Sequence, residues 1–167
     1  ACTAAAAGAT DKLRVVSSIL LAPLYHPILL AKLATSVDIV SKGRLTLGIG
    51  IGGEFPVEFQ AMGLSTKDRG SRSDEVLNLL KKLWTEEHIT HKGKFFQIED
   101  VTLKPTPLQH PHPPIWVAAR GQNAHDFALA NDCNVQVTPL WLGDEEVGSL
   151  MERFNNAPES HPKKPRP

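Results

Sequence analysis

The chain has 167 residues, with 18 Lys+Arg against 18 Asp+Glu and a formal net charge of zero. That balance excludes capture of nucleic acid or of an anionic membrane by bulk charge as the main activity. A hydrophobic share of 41% excludes a disordered chain, and the length suits one domain, two at most.

Ala4 to Ala9 is small and helix-favouring and reads as the tail of a helix. It lacks the basic leader and Leu-rich stretch of a signal peptide. Leu13 to Leu21 is rich in β-branched residues and apolar on both faces, as a buried parallel strand should be. The most apolar stretch, Ile19 to Leu33, is broken by Pro23, His26, Pro27 and Lys32 and is not a membrane span. From His26 to Val40 the period becomes helical, with Ile28, Leu29, Leu33, Val37 and Val40 as the expected buried face. Pro27 suits the first turn of that helix, and Ser41-Lys42-Gly43 suits its end.

Arg44 to Ile51 is a second buried strand running into Gly52-Gly53. Pro56 to Met62 reads as a short helix. Lys67 to Glu86 reads as a long one that buries Val76, Leu79, Leu80, Leu83 and Trp84, with Ser71 and Asp74 as a capping box. Ile89 to Ile98, around Lys92-Gly93-Lys94, is a β-hairpin. Five prolines make Pro105 to Pro114 an extended loop. Ile115 to Ala119 is a third buried strand, followed by a helix from Asn123 to Asn131 with Asn123 as its cap. Asn134 to Pro139 is a fourth strand, and Asp144 to Phe154 is a helix capped by Asp144. The last ten residues hold four prolines and read as a tail. The boundaries expected are therefore a domain over residues 1–155 and a Pro-rich tail over 156–167. Alternating strands and helices of this kind mean a parallel sheet flanked by helices. Half of a (β/α)8 barrel and a small doubly wound sheet both fit.

Two constellations stand out. Gly48-Ile49-Gly50-Ile51-Gly52-Gly53 closes a buried strand, where alternate glycines let a flat ligand or a phosphate approach the backbone. It is not a dinucleotide fingerprint, because its third glycine comes too early and Glu54 follows. Ala118-Ala119-Arg120-Gly121-Gln122 joins small residues, one cation and a helix start, the ingredients of an anion site. His110-Pro111-His112 has no partner carboxylate, and no metal site is expected. His26 is read as a cap or packing residue, and His88, His91 and His125 as surface. Arg72 and Glu75 are read as an ordinary i, i+3 surface pair. Cys2 and Cys133 form neither a redox nor a metal motif, which suggests a reducing, cytoplasmic compartment. The chain does not begin with Met, which suggests a fragment or processed piece.

Ser41-Lys42-Gly43-Arg44-Leu45-Thr46-Leu47-Gly48-Ile49-Gly50 resembles the bacterial-luciferase-like monooxygenase family. So do Phe59-Gln60-Ala61-Met62-Gly63, Arg69-Gly70-Ser71-Arg72-Ser73-Asp74-Glu75, Gly93-Lys94-Phe95-Phe96 and Pro113-Pro114-Ile115-Trp116-Val117-Ala118. The order and spacing of these pieces, over about residues 9 to 155, carry the likeness. It implies an α/β fold, a partial (β/α)8 TIM-type barrel with about strands three to six, the hairpin being an insertion. It also implies that the family's main catalytic histidine lies upstream, so no catalytic residue is assigned here. The implied cofactor is FMN, or coenzyme F420 in a related branch. By the same resemblance Ser18 and Ile19 form a non-prolyl cis peptide behind the ring. Gly50, Ile51 and Gly52 lie beside the ring and phosphate, and Ala118, Ala119, Arg120 and Gly121 hold the ribityl phosphate. The implied activity is oxygenation of a small organic substrate by reduced flavin and O2, with a flavin reductase as a further partner and a homo-oligomer as the full-length form. An F420-dependent hydride transfer and an inactive flavin-binding fragment are the alternatives. The strand ends at Ser18, Gly52, Ala119 and Thr138 are expected on one rim.

Overall fold

The structure is a computed structural model, which describes residues 1–137 and 143–156. Its elements are α1 (Cys2–Gly8), β1 (Val15–Val16), β2 (Leu20–Leu21), α2 (Pro27–Val40), β3 (Leu45–Gly50), α3 (Pro56–Ala61), α4 (Arg69–Thr85), β4 (Ile89–Lys92), β5 (Gln97–Val101), β6 (Ile115–Ala118), α5 (Gln122–Ala130), β7 (Asn134–Gln136) and α6 (Asp144–Asn155). The main sheet is parallel throughout, in the order β1-β3-β6-β7, with β2 also pairing with β3. β4 and β5 form a separate antiparallel hairpin, as expected from their turn.

The first expected strand is broken in two. β1 pairs with Leu45 and Thr46, β2 pairs with Ile49 and Gly50, and between them the chain leaves the ladder at Ser17 to Ile19. The Ser18–Ile19 peptide is cis. Ser17 takes over the lost pairing: its hydroxyl accepts from Gly48 N at 3.0 Å and donates to Gly48 O at 3.1 Å. That keeps both polar groups of a buried strand satisfied.

One face of the sheet is the core. Leu45, Leu47, Ile49, Ile115 and Val117 join Leu30, Ala31 and Ala34 of α2 and Val76, Leu77, Leu79, Leu80, Leu83 and Trp84 of α4 in one cluster. The buried face of α4 is the expected one, extended by Leu77. The face of α2 is the expected one only in part: Ile28 and Val37 pack against the core, but Leu29, Leu33 and Val40 are about half exposed, while Leu30, Ala31, Ala34, Thr35 and Asp38 are buried. This helix is apolar on nearly every side, so its period could not single out the face that α4 and β3 cover.

Buried polar side chains pin the loops. Asp38 is fully buried and accepts from Leu108 N at 2.8 Å, Gln109 N at 3.1 Å and Gln109 Nε2 at 2.7 Å. The proline-rich loop is thereby tied to α2. Arg44 donates to Ala7 O and Thr10 O, which ties α1 to β3. His26 caps α2, its Nδ1 accepting from Ile28 N at 3.3 Å, and its ring meets Phe96 edge-on.

Several end residues differ from expectation. α5 begins one residue before Asn123, with Gly121 as its cap, and α6 is capped by Gly143 rather than by Asp144. Ser71 hydrogen-bonds to Asp68 O within the start of α4 and does not cap it. Asp144, Glu145 and Glu146 instead fill the first turn of α6, where the helix dipole favours acids. His125, expected at the surface, is fully buried with its ring edge-on to Phe154 of α6. Burial first, then Arg153, holds this imidazole below its usual range, against a smaller opposite pull from Asp126.

Among the described residues, neither β1/β2 nor β7 has a strand on its outer side. The 167-residue chain made alone is therefore expected to self-associate, because open parallel edges recruit other strands. Size-exclusion chromatography checks this, and a monodisperse monomer contradicts it.

Candidate functional site

Side chains paired in register on parallel strands point to the same face of a sheet. Leu45, Leu47, Ile49, Ile115 and Val117 point to the helices. The alternate residues therefore line the opposite, inner face. Gly48, Trp116 and Asn134 form one row there. One step toward the strand ends, Leu21, Gly50, Ala118 and Gln136 form the next. A Cβ on Gly50 would lie 3.7 Å from Ala118 Cβ, which puts these two side by side.

All four residues of that second row line one cleft of about 590 Å³. Ile19, Ile51, Gly52, Glu54 and the segment Ala119 to Ala124 complete it. Of the candidate residues, Ile19, Gly50, Ile51, Gly52, Ala118, Ala119, Arg120 and Gly121 all meet here. Ser18 is exposed and does not line the cleft, but its hydroxyl accepts from Nε2 of Gln136 at 2.7 Å. Of the four expected strand ends, Gly52 and Ala119 line the cleft, Ser18 touches it through Gln136, and Thr138 lies outside the described residues.

The glycines have a cause that the sequence reading did not name. A Cβ on Gly48 would sit 1.9 Å from Ser17 O, and one on Gly50 would sit 2.3 Å from Ile19 Cδ1. The near approach at Gly48 is by the main chain at Ser17 and not by a ligand. Gly52 has φ +63°, a conformation that favours glycine and turns the chain away from β3 into the cleft wall.

The polar end of the cleft is the start of α5. The N–H groups of Gln122 and Asn123 belong to the first turn and have no acceptor within the helix. Arg120 stands beside them and donates from Nη1 to Glu54 Oε1 at 3.2 Å, with both side chains mostly exposed. Glu54 and Arg120 are the ionisable residues among the described cleft residues. Gln136 was missed by the sequence reading. A glutamine near the end of a short β-rich stretch carries no motif, and only strand register puts it on the inner row. Among the described residues no group of three or more His, Cys, Asp or Glu could hold a metal ion, and no helix is long and apolar enough to cross a membrane.

The family model described as luciferase-like monooxygenase matches residues 1–166. The chain belongs to the luciferase-like monooxygenase family, and its α/β fold with a parallel sheet is that of the family's barrels. It is 47% identical over 154 residues to the oxygenase component of a flavin-dependent trigonelline monooxygenase from Acinetobacter baylyi, covering 92% of this chain and 42% of that protein. An FMNH2-dependent dimethylsulfone monooxygenase from Pseudomonas putida is 38% identical over 123 residues, covering 72% of this chain and 33% of that one. The crystal structure of monooxygenase RslO1 from Streptomyces bottropensis superposes with a TM-score of 0.90 at 31% identity, over 98% of this chain and 50% of that chain. The chain thus spans half or less of the length of these relatives.

Proposed function

We propose that this chain forms the cofactor-holding part of a flavin-dependent monooxygenase that oxygenates a small organic substrate with O2. The observation that carries this reading is the inner row itself. Gly50 and Ala118 make a floor with almost no side chain, Ile19 and Leu21 wall one side, and the floor leads to the N–H groups of α5 and to Arg120. A flat aromatic ring with a phosphate tail has that shape and that polarity. The dimensions fit as well, since a cleft of about 590 Å³ falls in the range of cofactor sites.

Reduced FMN, when bound, supplies the two electrons that let one oxygen atom of O2 enter the substrate while the other leaves as water. This chain's residues bind, orient and shield. Ile19, Leu21 and Ile51 present apolar surface that keeps water from the ring. The α5 N–H groups and Arg120 hold the phosphate. Glu54 competes with that phosphate for the Arg120 guanidinium. Glu54 and Arg120 are the ionisable side chains of the described cleft, and both are mostly exposed.

The test uses the full-length polypeptide that carries this sequence, with FMN and riboflavin as paired ligands. Arg120→Ala is expected to weaken FMN by about tenfold or more and riboflavin by about twofold at most, since only FMN carries the phosphate. Glu54→Gln is expected to tighten FMN. Equal losses for both ligands in Arg120→Ala remove Arg120 from the phosphate site. Oxygen uptake dependent on reduced flavin tests the reaction class; hydride exchange with F420 and no oxygen uptake would replace it.

A further inference from the structure

α6 lies against α5 around one buried ring. His125 of α5 is fully buried, and Phe154 of α6 meets it edge-on, with 6.5 Å between the ring centroids. Among the described residues neither nitrogen of this imidazole has a hydrogen-bond partner. β6 and β7, the strands packed against α5, bring no titratable side chain. The charges that act on the ring are Arg153 of α6 and, with a smaller and opposite pull, Asp126 of α5. Asp126 makes no hydrogen bond to the ring. It is half exposed, and its Oδ1 accepts from Arg153 Nη2 at 2.8 Å and from Gln122 Nε2 at 2.9 Å.

A neutral imidazole is tolerated in such a place, because it carries no charge and packs as a small aromatic. An imidazolium is not. It adds a charge and a second N–H donor where no acceptor stands, and the Arg153 guanidinium repels it. We propose that His125 makes the docking of α6 on α5 acid-sensitive: the ring takes up a proton from water only when α6 leaves it, so that acid releases α6. Proton uptake and undocking are then one step. The sign follows from the neutral docked ring. The contact contributes fully above the ordinary histidine value of about 6.5 and is lost as pH falls below it. Leu150, the buried apolar residue of α6, does not titrate. The pair that is switched stands behind the cleft, since the start of α5 forms the cleft's polar end.

The test is backbone amide exchange of the full-length polypeptide that carries this sequence, read at each pH against the intrinsic rate, which reports α6 separately from the core. Between about pH 7.5 and about pH 5, protection of the wild-type α6 amides is expected to fall about tenfold, and that of α4 by about twofold or less. In His125→Phe and His125→Leu, which keep an apolar side chain at this position and cannot titrate, the α6 loss is expected to be about twofold or less. A wild-type α6 equally protected at both pH values overturns the proposal. So does a loss in the variants that matches the wild type, because another group would then carry it. Should neither variant dock α6, the wild-type profile decides. A loss centred between about pH 6.5 and about pH 5 supports His125, and one centred below about pH 4.5, in the carboxylate range, overturns it.

Discussion

Replacing Glu75 with alanine is expected to cost about 3 kcal/mol or more of stability, a fall in melting temperature of about 6–12 °C. This carboxylate in α4 accepts from Phe95 N at 3.0 Å and Phe96 N at 2.9 Å, and Nε2 of His91 lies 3.0 Å from its Oε1. It thus fastens the β4–β5 hairpin to α4 through two main-chain donors of the hairpin turn. Removing it strands two N–H groups and leaves His91, itself only 23% exposed, without its acceptor. Burial pushes the Glu75 carboxyl up, but the His91 ring and the two amide N–H groups together outweigh it, and the net direction is down. The sign of the pH dependence follows. Its contribution is full above the ordinary glutamate value of about 4.3 and is lost as pH falls through the lowered folded value. Thermal melts of wild type and Glu75→Ala from neutral to acid pH should therefore converge in acid. A constant difference across that range would show that the carboxylate charge is not what holds the hairpin.

Gly48→Ala is expected to be as damaging, by about 3 kcal/mol or more, for a reason that lies wholly in backbone spacing. The added Cβ would stand 1.9 Å from Ser17 O, a main-chain atom with no rotamer to escape into. Accommodating it means separating β3 from the Ser17–Ile19 segment and breaking the two Ser17–Gly48 hydrogen bonds. The same separation moves Ile19 off the cleft, so flavin binding should fall with stability. Gly50→Ala makes a useful contrast. Its clash is with Ile19 Cδ1 at 2.3 Å, the tip of a side chain that can turn. It should therefore cost less stability while still altering the cleft. Gly70→Ala, where nothing lies within 4 Å, should be neutral or slightly stabilising. Denaturant midpoints for the three variants check the order, and a Gly48→Ala protein as stable as Gly70→Ala would show that the two segments are not packed as described.

The alternation of strands and helices was legible in the sequence because it depends on local period alone. β3, α4, the hairpin and β6 lie close to where apolar spacing and turn residues put them, since each buries the face that its own pattern marks. The glycine run and the Ala118 to Gly121 turn were legible as a pair of candidate sites, and both line one cleft. What the tertiary structure decided is which neighbour each residue meets. Arg72 and Glu75 are three apart on α4, a spacing that by itself predicts a surface pair. Instead Arg72 donates to Pro23 O and stacks over Phe96, while Glu75 takes the hairpin amides. The nearly all-apolar α2 could not reveal its covered face, and His125 could not reveal that α6 would bury it. Gly48 is glycine because a chain segment about thirty residues earlier in sequence crosses over it. Gln136 enters the site only because β7 pairs with β6 in the register that sets it beside Ala118. Local pattern determines which elements form, because propensity and period act over a few residues. Strand register and helix docking determine which side chains converge, because those contacts join residues up to 118 positions apart.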